Sequence, residues 1–438
     1  MLLAALFTTS CEEMMSKMDN PVSSYLTVSE SDVVLNLDTV YQIKVETINS
    51  DNPVTYKSSD KTIATVDANG LVTPVGNKEG DIEITVAVAA SAYYQAGEQK
   101  VKIAVKQPLT FEALEDGQIY LGFYNDITLE KPIVITTNRK AKKEYTSSAT
   151  ITVKKGDKLQ FESANDHTGD YFFNGSYYTN RYVNIMPQSK CAVYGNVMSM
   201  ITPDGNYHTN KTITQPYALQ YLLRGYSTWT GTGYDYKTVA HDKYKLVLPA
   251  TTLADYCYYY MLSNTGITEA PELPAKKMAN YCYGYMFSNC RNMTKAPQLS
   301  SLQLANYCYY NMFSGCTSLK AAPALPATKL ANSCYWGMFQ NCSSLTETPE
   351  LKAESLPYAC YEYMFRYCYK LSKVTCLAKE MTNTYALYRW LQGAGTDQSV
   401  TSRTLVRNTE NNNWFNSDSY LINAWAIPTG WTISPAID

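Results

Sequence analysis

Charge is scarce in this chain. Asp, Glu, Lys and Arg make up 17% of its 438 residues, where soluble domains carry roughly a quarter. The 37 Lys and Arg stand against 39 Asp and Glu, a net charge of −2. That leaves no basic surplus for a phosphate backbone and argues against nucleic acid as the main partner. Histidine is scarcer still. His167, His208 and His241 are the only three, each in a polar, loop-like context, too few for an imidazole metal site or an acid–base centre. Long apolar runs are missing too, so no segment is expected to cross a membrane as a helix.

Catalytic signatures are equally thin. Gly231-Thr232-Gly233 runs into Tyr234-Asp235-Tyr236 and so breaks the dinucleotide fingerprint. No Gly-x-Ser-x-Gly, His-Glu-x-x-His or phosphate-binding loop occurs. Carboxylate pairs such as Asp166 and Asp170 have nothing but spacing to suggest a glycosidase, and spacing alone says little. The expectation is a protein that is not an enzyme and holds no cofactor and no metal.

What the chain has in excess is tyrosine, 39 residues, and cysteine, 12, on a length suited to two or three domains. Its first residues, Met1 to Cys11, form a short apolar run ending in Thr8-Thr9-Ser10 and a cysteine. Ten residues do not span a bilayer as a helix, but apolar then small is the pattern of a secretory signal. With the thiol next, the run resembles a bacterial lipoprotein lipobox, which implies lipidation at Cys11. Two features depart from it: no Leu at the first of the three small positions, and no Lys or Arg before the apolar run, which suggests a start codon further upstream. Glu12-Glu13 and a polar stretch to residue 24 resemble the surface-export tethers of Bacteroidetes lipoproteins. An ordinary cytosolic N-terminus is the competing reading.

From residue 25 to 106 short runs alternate with period two: Val33–Leu37, Tyr41–Val45, Ile82–Val86 and Val101–Val105. This is the pattern of an antiparallel β-sandwich. Tyr56–Pro74, with Ile63-Ala64-Thr65-Val66-Asp67-Ala68-Asn69-Gly70-Leu71-Val72 at its centre, closely resembles the core of bacterial Ig-like group 2 domains. That resemblance implies a spacer or adhesion module. Asn69-Gly70 suits a hairpin turn, and a calcium loop would need further carboxylates and a closing Glu that are absent.

Between 248 and 376 the chain repeats itself. Five units begin at Leu248, Leu273, Leu299, Leu325 and Leu351, spaced by 25 residues once and then by 26. A first cysteine recurs at Cys257, Cys282, Cys308, Cys334 and Cys360. A methionine follows at Met261, Met286, Met312, Met338 and Met364, and a second cysteine at Cys290, Cys316, Cys342 and Cys368, with Thr265 in the first unit. The period lies in the leucine-rich-repeat range, and the Met-Phe-x-x-Cys-x-x-Leu block resembles BspA-like leucine-rich repeats of Bacteroides surface proteins. The resemblance implies a strand near Leu319–Leu325 and a helix over Leu304–Cys316, with Leu304, Cys308, Met312 and Phe313 on one face. Rungs of this kind share one core by stacking.

Eight residues between the two cysteines of a unit is not a zinc spacing, and as helix it is about 12 Å of rise, too long for a disulfide. The repeat cysteines therefore read as buried free thiols, with disulfides left open for Cys191 and Cys376. Tyrosines flank the first cysteine, and neighbours of a core position are expected to face outward. Tyr256, Tyr258, Tyr281, Tyr283, Tyr307, Tyr309, Tyr335, Trp336 and Tyr361 are thus the candidate contact residues; lateral packing between rungs is the alternative.

The expected architecture is multidomain, a β-sandwich (Ig-like) followed by an α/β leucine-rich-repeat solenoid with a β-rich N-terminal cap. Its segments are a signal remnant and tether (1–24), the Ig-like domain (25–106), the β-rich cap (107–247), five repeats (248–376) and a C-terminal cap (377–438). The cap assignments follow the same resemblance, carried by Ala192–Met200 and Ile427–Ile433. The expected function is an adhesin-like, non-catalytic lipoprotein, lipid-anchored at the outer membrane and exposed on the cell surface. Its repeats would bind a host extracellular matrix protein, mucin or polysaccharide. Glycan capture for nutrient uptake and a structural surface role are the alternatives. If Cys11 is acylated, fatty-acid labelling is lost in Cys11→Ser and the protein leaves the membrane fraction; unchanged membrane retention excludes the anchor.

Overall fold

A computed structural model describes residues 21–48, 50–173, 178–383, 385–408 and 427–436. Cys11 and the tether as far as residue 20 lie outside them. The chain divides into two compact units, one ending at Gln107 and one starting at Pro108. No helix among the described residues is long and apolar enough to cross a membrane.

The first unit is all β. Its strands are β1 (Leu26–Val28), β2 (Asp32–Leu35), β3 (Tyr41–Gln42), β4 (Val45–Ile48), β5 (Thr55–Ser58), β6 (Ala64–Val66), β7 (Leu71–Pro74), β8 (Gly80–Val88) and β9 (Gly97–Val105). They form sheets ordered β2-β9-β8-β5 and β3-β7-β6, with β1 paired to β4. Period-two patterning drives this: in β8 the buried residues are Ile82, Ile84, Val86 and Val88, with less buried residues between them. Asp67 closes the β6–β7 turn by accepting from the N–H groups of Asn69 and Leu71 at 2.9 and 2.8 Å. Gly70 sits there at φ +82°, where an added Cβ would lie 2.8 Å from the Tyr56 ring. The acidic loop is a turn built on its own backbone.

The second unit opens with β10 (Leu109–Ala113), β11 (Gly117–Tyr124), β12 (Ile133–Thr137), β13 (Ala141–Tyr145), β14 (Ala149–Val153), β15 (Lys158–Ser163), β16 (Gly169–Phe173), β17 (Tyr178–Pro187) and β18 (Cys191–Asn196). One sheet runs β13-β12-β15-β10-β18 and another β14-β11-β17-β16. Phe111 and Phe161, edge to face at 5.6 Å, lie in a core shared with Ile119, Leu121, Val183 and Ile185. All pairs up to β18 are antiparallel in these two sheets; beyond it, Thr238–Ala240 and Leu246–Val247 join β18 in parallel. That switch starts the repeats.

The repeats stack, but the α/β expectation does not hold. Among the described residues the only helical segment is a 3-10 turn at Val197–Met200. Leu304–Cys316 is a run of tight turns, and the strand expected near Leu319–Leu325 is a single bridge, Ala321 to Glu347. Pairs of core residues recur every four positions: Cys257-Tyr258 then Met261-Leu262, Cys308-Tyr309 then Met312-Phe313. On an α-helix four residues overshoot a full turn by about 40°, so such a pattern would drift off the core within two turns. Here every fourth residue takes a left-handed conformation, as at Tyr256, Tyr260 and Asn264 (φ 57, 56 and 56°) and again at Tyr281, Tyr285 and Asn289 (φ 53, 54 and 59°). The reversal resets the chain, so the pattern stays in phase.

Backbone donors alternate accordingly. Tyr259, Met261 and Ser263 donate three residues back within their own rung, whereas Tyr256, Tyr258, Tyr260, Leu262 and Asn264 donate to Asn280, Cys282, Gly284, Met286 and Ser288 of the next rung at 2.9–3.0 Å. The same ladder extends past the five units visible in the sequence. Tyr217, Leu219, Tyr221, Leu223 and Gly225 donate to the rung at 255–263, and Tyr361, Tyr363, Phe365 and Tyr367 donate to Ala386, Tyr388, Trp390 and Gln392. Rungs at 217–225 and 386–394 lack the cysteines and use Ala218-Leu219, Leu222-Leu223, Ala386-Leu387 and Trp390-Leu391 as core pairs.

The first rung's outward carbonyls are taken up by the preceding sheet. Thr168 N–H donates to Ala218 (2.7 Å) and Ile185 N–H to Leu222 (2.8 Å). The buried Asn184 amide donates to Tyr221 (2.7 Å), Leu222 (3.3 Å) and Arg224 (3.1 Å). At the other end Lys373–Cys376, Thr404–Arg407 and Thr432–Pro435 pair in parallel. Because Asn184 serves several carbonyls, Asn184→Ala is expected to destabilise the second unit by about 1–3 kcal/mol. Urea unfolding checks this; a midpoint unchanged from the parent would show that the amide caps nothing.

Candidate aromatic face

Turn runs have two sides. Inside, Tyr258, Tyr283, Tyr309, Tyr335 and Tyr361 stack at 5.6–5.9 Å and continue to Trp390 at 6.4 Å. Phe287, Phe313, Phe339 and Phe365 stack beside them at 5.6–5.7 Å. Five of the candidate contact residues are therefore core: Tyr258, Tyr283, Tyr309, Tyr335 and Tyr361 are at most 2% exposed. On a turn run the two residues that start each group of four both point inward, so the residue after cysteine is interior and only the one before it is not.

The other four candidates are half-buried on the outer side, Tyr256, Tyr281, Tyr307 and Trp336. Tyr217, Tyr256, Tyr281 and Tyr307 form one row with centroids 4.4–4.7 Å apart. A second row, missed in the sequence, starts on the sheet at Tyr124 and Tyr182 and runs through Tyr221, Tyr260 and Tyr285 at 4.2–5.2 Å. Tyr310 and Trp336 continue it, stacked at 4.6 Å, then Tyr363 and Tyr388 edge-on. Tyr259 bridges the two rows, its ring 2.9 Å from where a Cβ on Gly284 would sit. The four-residue spacing of Tyr217 and Tyr221, Tyr256 and Tyr260, and Tyr281 and Tyr285 was the sequence signal for part of the second row.

This face is almost without charge. Residues 280–289, 306–315 and 332–341 contain no Asp, Glu, Lys or Arg; what accompanies the aromatics is Asn, Ser, Gly and Gln. Its cations are arginines: Arg224 lies 5.5 Å from the Tyr221 and Tyr260 rings, Arg366 is 4.5 Å from Tyr367 and Arg389 is 5.0 Å from Tyr388. Two acids stand in the runs: Asp255 accepts from the backbone and side-chain N–H groups of Asn280 at 2.8 and 3.2 Å, and Glu362 has its carboxyl raised by burial against a hydrogen bond from Trp336. Charges gather instead on the strand side, in Glu269–Lys295 (3.6 Å) and Lys379–Glu354 (2.9 Å).

All eleven described cysteines are free and buried, Cys191 and Cys376 included. The second cysteine of each unit ties neighbouring rungs together. Cys290, Cys316, Cys342 and Cys368 each donate S–H to a carbonyl of the preceding rung at 3.1 Å. In the first unit the Thr265 hydroxyl donates within its own rung to the same Leu262 carbonyl at 2.8 Å. No group of three or more His, Cys, Asp or Glu suited to a metal occurs among the described residues.

Residues 24–96 match the family model of the bacterial Ig-like domain (group 2). The first unit carries that domain. No curated protein matches the chain. The match spans the strands of the Ig-like domain from β1 to β8 and stops short of β9, and the aromatic face lies wholly outside it.

Burial pushes Cys290 from 9.0 to about 11 and Cys376 to about 12, and Tyr221 from 10.0 to about 12. Raised values mean that the fold favours the protonated groups, so their contribution is complete below pH 9 and is lost as pH rises through 11–12. The buried repeat thiols are expected to resist alkylation at pH 8, and their thiolate absorbance to appear together with alkaline unfolding. Rapid labelling of the folded protein would contradict the buried ladder.

Proposed function

We propose that this chain is a cell-surface recognition protein whose repeat region binds a host or microbial macromolecule through the aromatic face, without catalysis. The observation that carries the reading is the composition of that face. Protein-binding surfaces are depleted in charge at their centre and enriched in aromatics and arginine, and paratopes combine Tyr with Ser, Gly and Asn. Three consecutive charge-free runs of Tyr, Asn, Ser and Gly, held on a hydrogen-bonded ladder, meet both descriptions. A rigid ladder also lowers the entropic cost of binding, because the rings are already fixed by their neighbours.

In the same proposal the repeats are of the BspA-like kind, the chain is a Bacteroidetes lipoprotein anchored at the outer membrane through Cys11, and the Ig-like domain is its spacer. The repeat period and the Met-Phe-x-x-Cys block support the first part. Matrix proteins and mucins are the partner class. Stacking covers most ring faces within the rows, leaving edges and hydroxyls outward, which favours a protein surface over sugar rings lying flat on them.

Tyr285→Asn and Tyr281→Ser test this without disturbing the backbone, since Asn311 and Ser333 occupy the equivalent left-handed positions (φ 51 and 52°). On an array of matrix proteins, mucins and polysaccharides, the full chain should show a saturable protein or mucin partner. Each substitution should weaken it by about tenfold or more. Silence across the array, or binding untouched by both variants, would leave a structural surface role.

A further inference from the structure

We propose that the hairpin formed by Ser227–Trp229 and Tyr234–Tyr236 is a second, separate binding site, for an acidic carbohydrate. The hairpin is closed by Thr230, whose N–H and hydroxyl both donate to the Gly233 carbonyl at 2.9 and 3.0 Å. Its base is pinned to the repeats: Tyr236, 3% exposed, donates its hydroxyl to the Asn289 carbonyl at 3.0 Å. What this rigid mount displays is aromatic and uncovered. Trp229 is 62% exposed and Tyr234 38%. Directly paired across the strands, they share one face of the hairpin, the indole tilted 59° to the phenol at 5.1 Å.

Two observations specify the ligand. First, Tyr234, at 59°, is the only ring found against the Trp229 indole among the described residues, whereas the rings of the turn face stack on one another. An uncovered indole offers a flat, electron-rich surface to the C–H face of a pyranose. Second, the Arg291 guanidinium lies 4.3 Å from the Tyr234 ring centroid and has no carboxylate partner among the described residues. Its Nη2 reaches the Asn289 side-chain oxygen at 3.4 Å. The acid next to Tyr234 in sequence, Asp235, is on the opposite face of the hairpin by strand alternation and is paired with Lys237 at 2.7 Å. The site therefore presents a stacking surface beside an uncompensated planar cation, which is complementary to a sugar ring bearing a carboxylate or sulfate.

The test uses the full chain in affinity electrophoresis through gels holding polygalacturonate, dextran sulfate or uncharged dextran. Retardation by one or both charged polymers and not by dextran is expected, the two arms telling carboxylate from sulfate. Trp229→Ala and Arg291→Gln should each weaken it about tenfold, the size of one good contact, while Lys276→Gln, an exposed cation elsewhere, leaves it unchanged. Trp229 is exposed, so its variant is expected to keep the parent melting temperature. No retardation by either charged polymer, equal retardation by dextran, or retardation indifferent to both variants overturns the proposal. Tyr285→Asn is expected to retain polymer binding, which separates this site from the turn face.

Discussion

The repeat region depends on one constraint: half of the backbone donors in each turn run have no partner in their own rung. The left-handed residue every fourth position is costly for a tyrosine, about 1–2 kcal/mol, and nothing local repays it. Its own N–H crosses to the next rung, as in Tyr256 to Asn280 and Tyr260 to Gly284. A single rung would carry both the strain and the unpaired groups. Only the stack satisfies them, so the run of turns is a tertiary structure from the outset.

Equivalent side chains follow the ladder into register. Tyr falls on Tyr and Phe on Phe inside the core, and tyrosines fall on tyrosines outside. The second cysteine is held to its place by an S–H donated across the rung boundary, a reason for sulfur there that packing alone does not supply. Ends are the weak points of such a ladder, and the start is met by Thr168, Ile185 and Asn184 from the preceding sheet. The aromatic row that begins on that sheet at Tyr124 and Tyr182 continues without a break onto the rungs.

The same geometry separates two kinds of surface. Rings within the rows cover one another and offer edges and hydroxyls on a nearly uncharged field. The Trp229 hairpin keeps its indole 62% exposed, and Arg291 from the repeats lies over the neighbouring Tyr234 ring. The proposed protein-binding face and the proposed platform for an anionic sugar both belong to the second unit, and the Ig-like domain forms the first.

Much of this was legible in the residues alone. Alternation in Ile82–Val88 and the turn at Asn69-Gly70 marked the sandwich, because a strand's inside and outside are set by period two whatever it packs against. The 26-residue period and the leucines at 248, 273, 299, 325 and 351 marked the stack and its core. The conformation of Leu304–Cys316 was not legible. Spacings of four suit a short helix about as well as a chain of turns, and they differ only in drift over eight residues. Rungs 217–225 and 386–394 were hidden because they lack the cysteines that mark the other units. Which tyrosines face out was decided by tertiary structure, since the left-handed backbone that turns Tyr256 outward and Tyr258 inward exists only when a neighbouring rung accepts its hydrogen bonds.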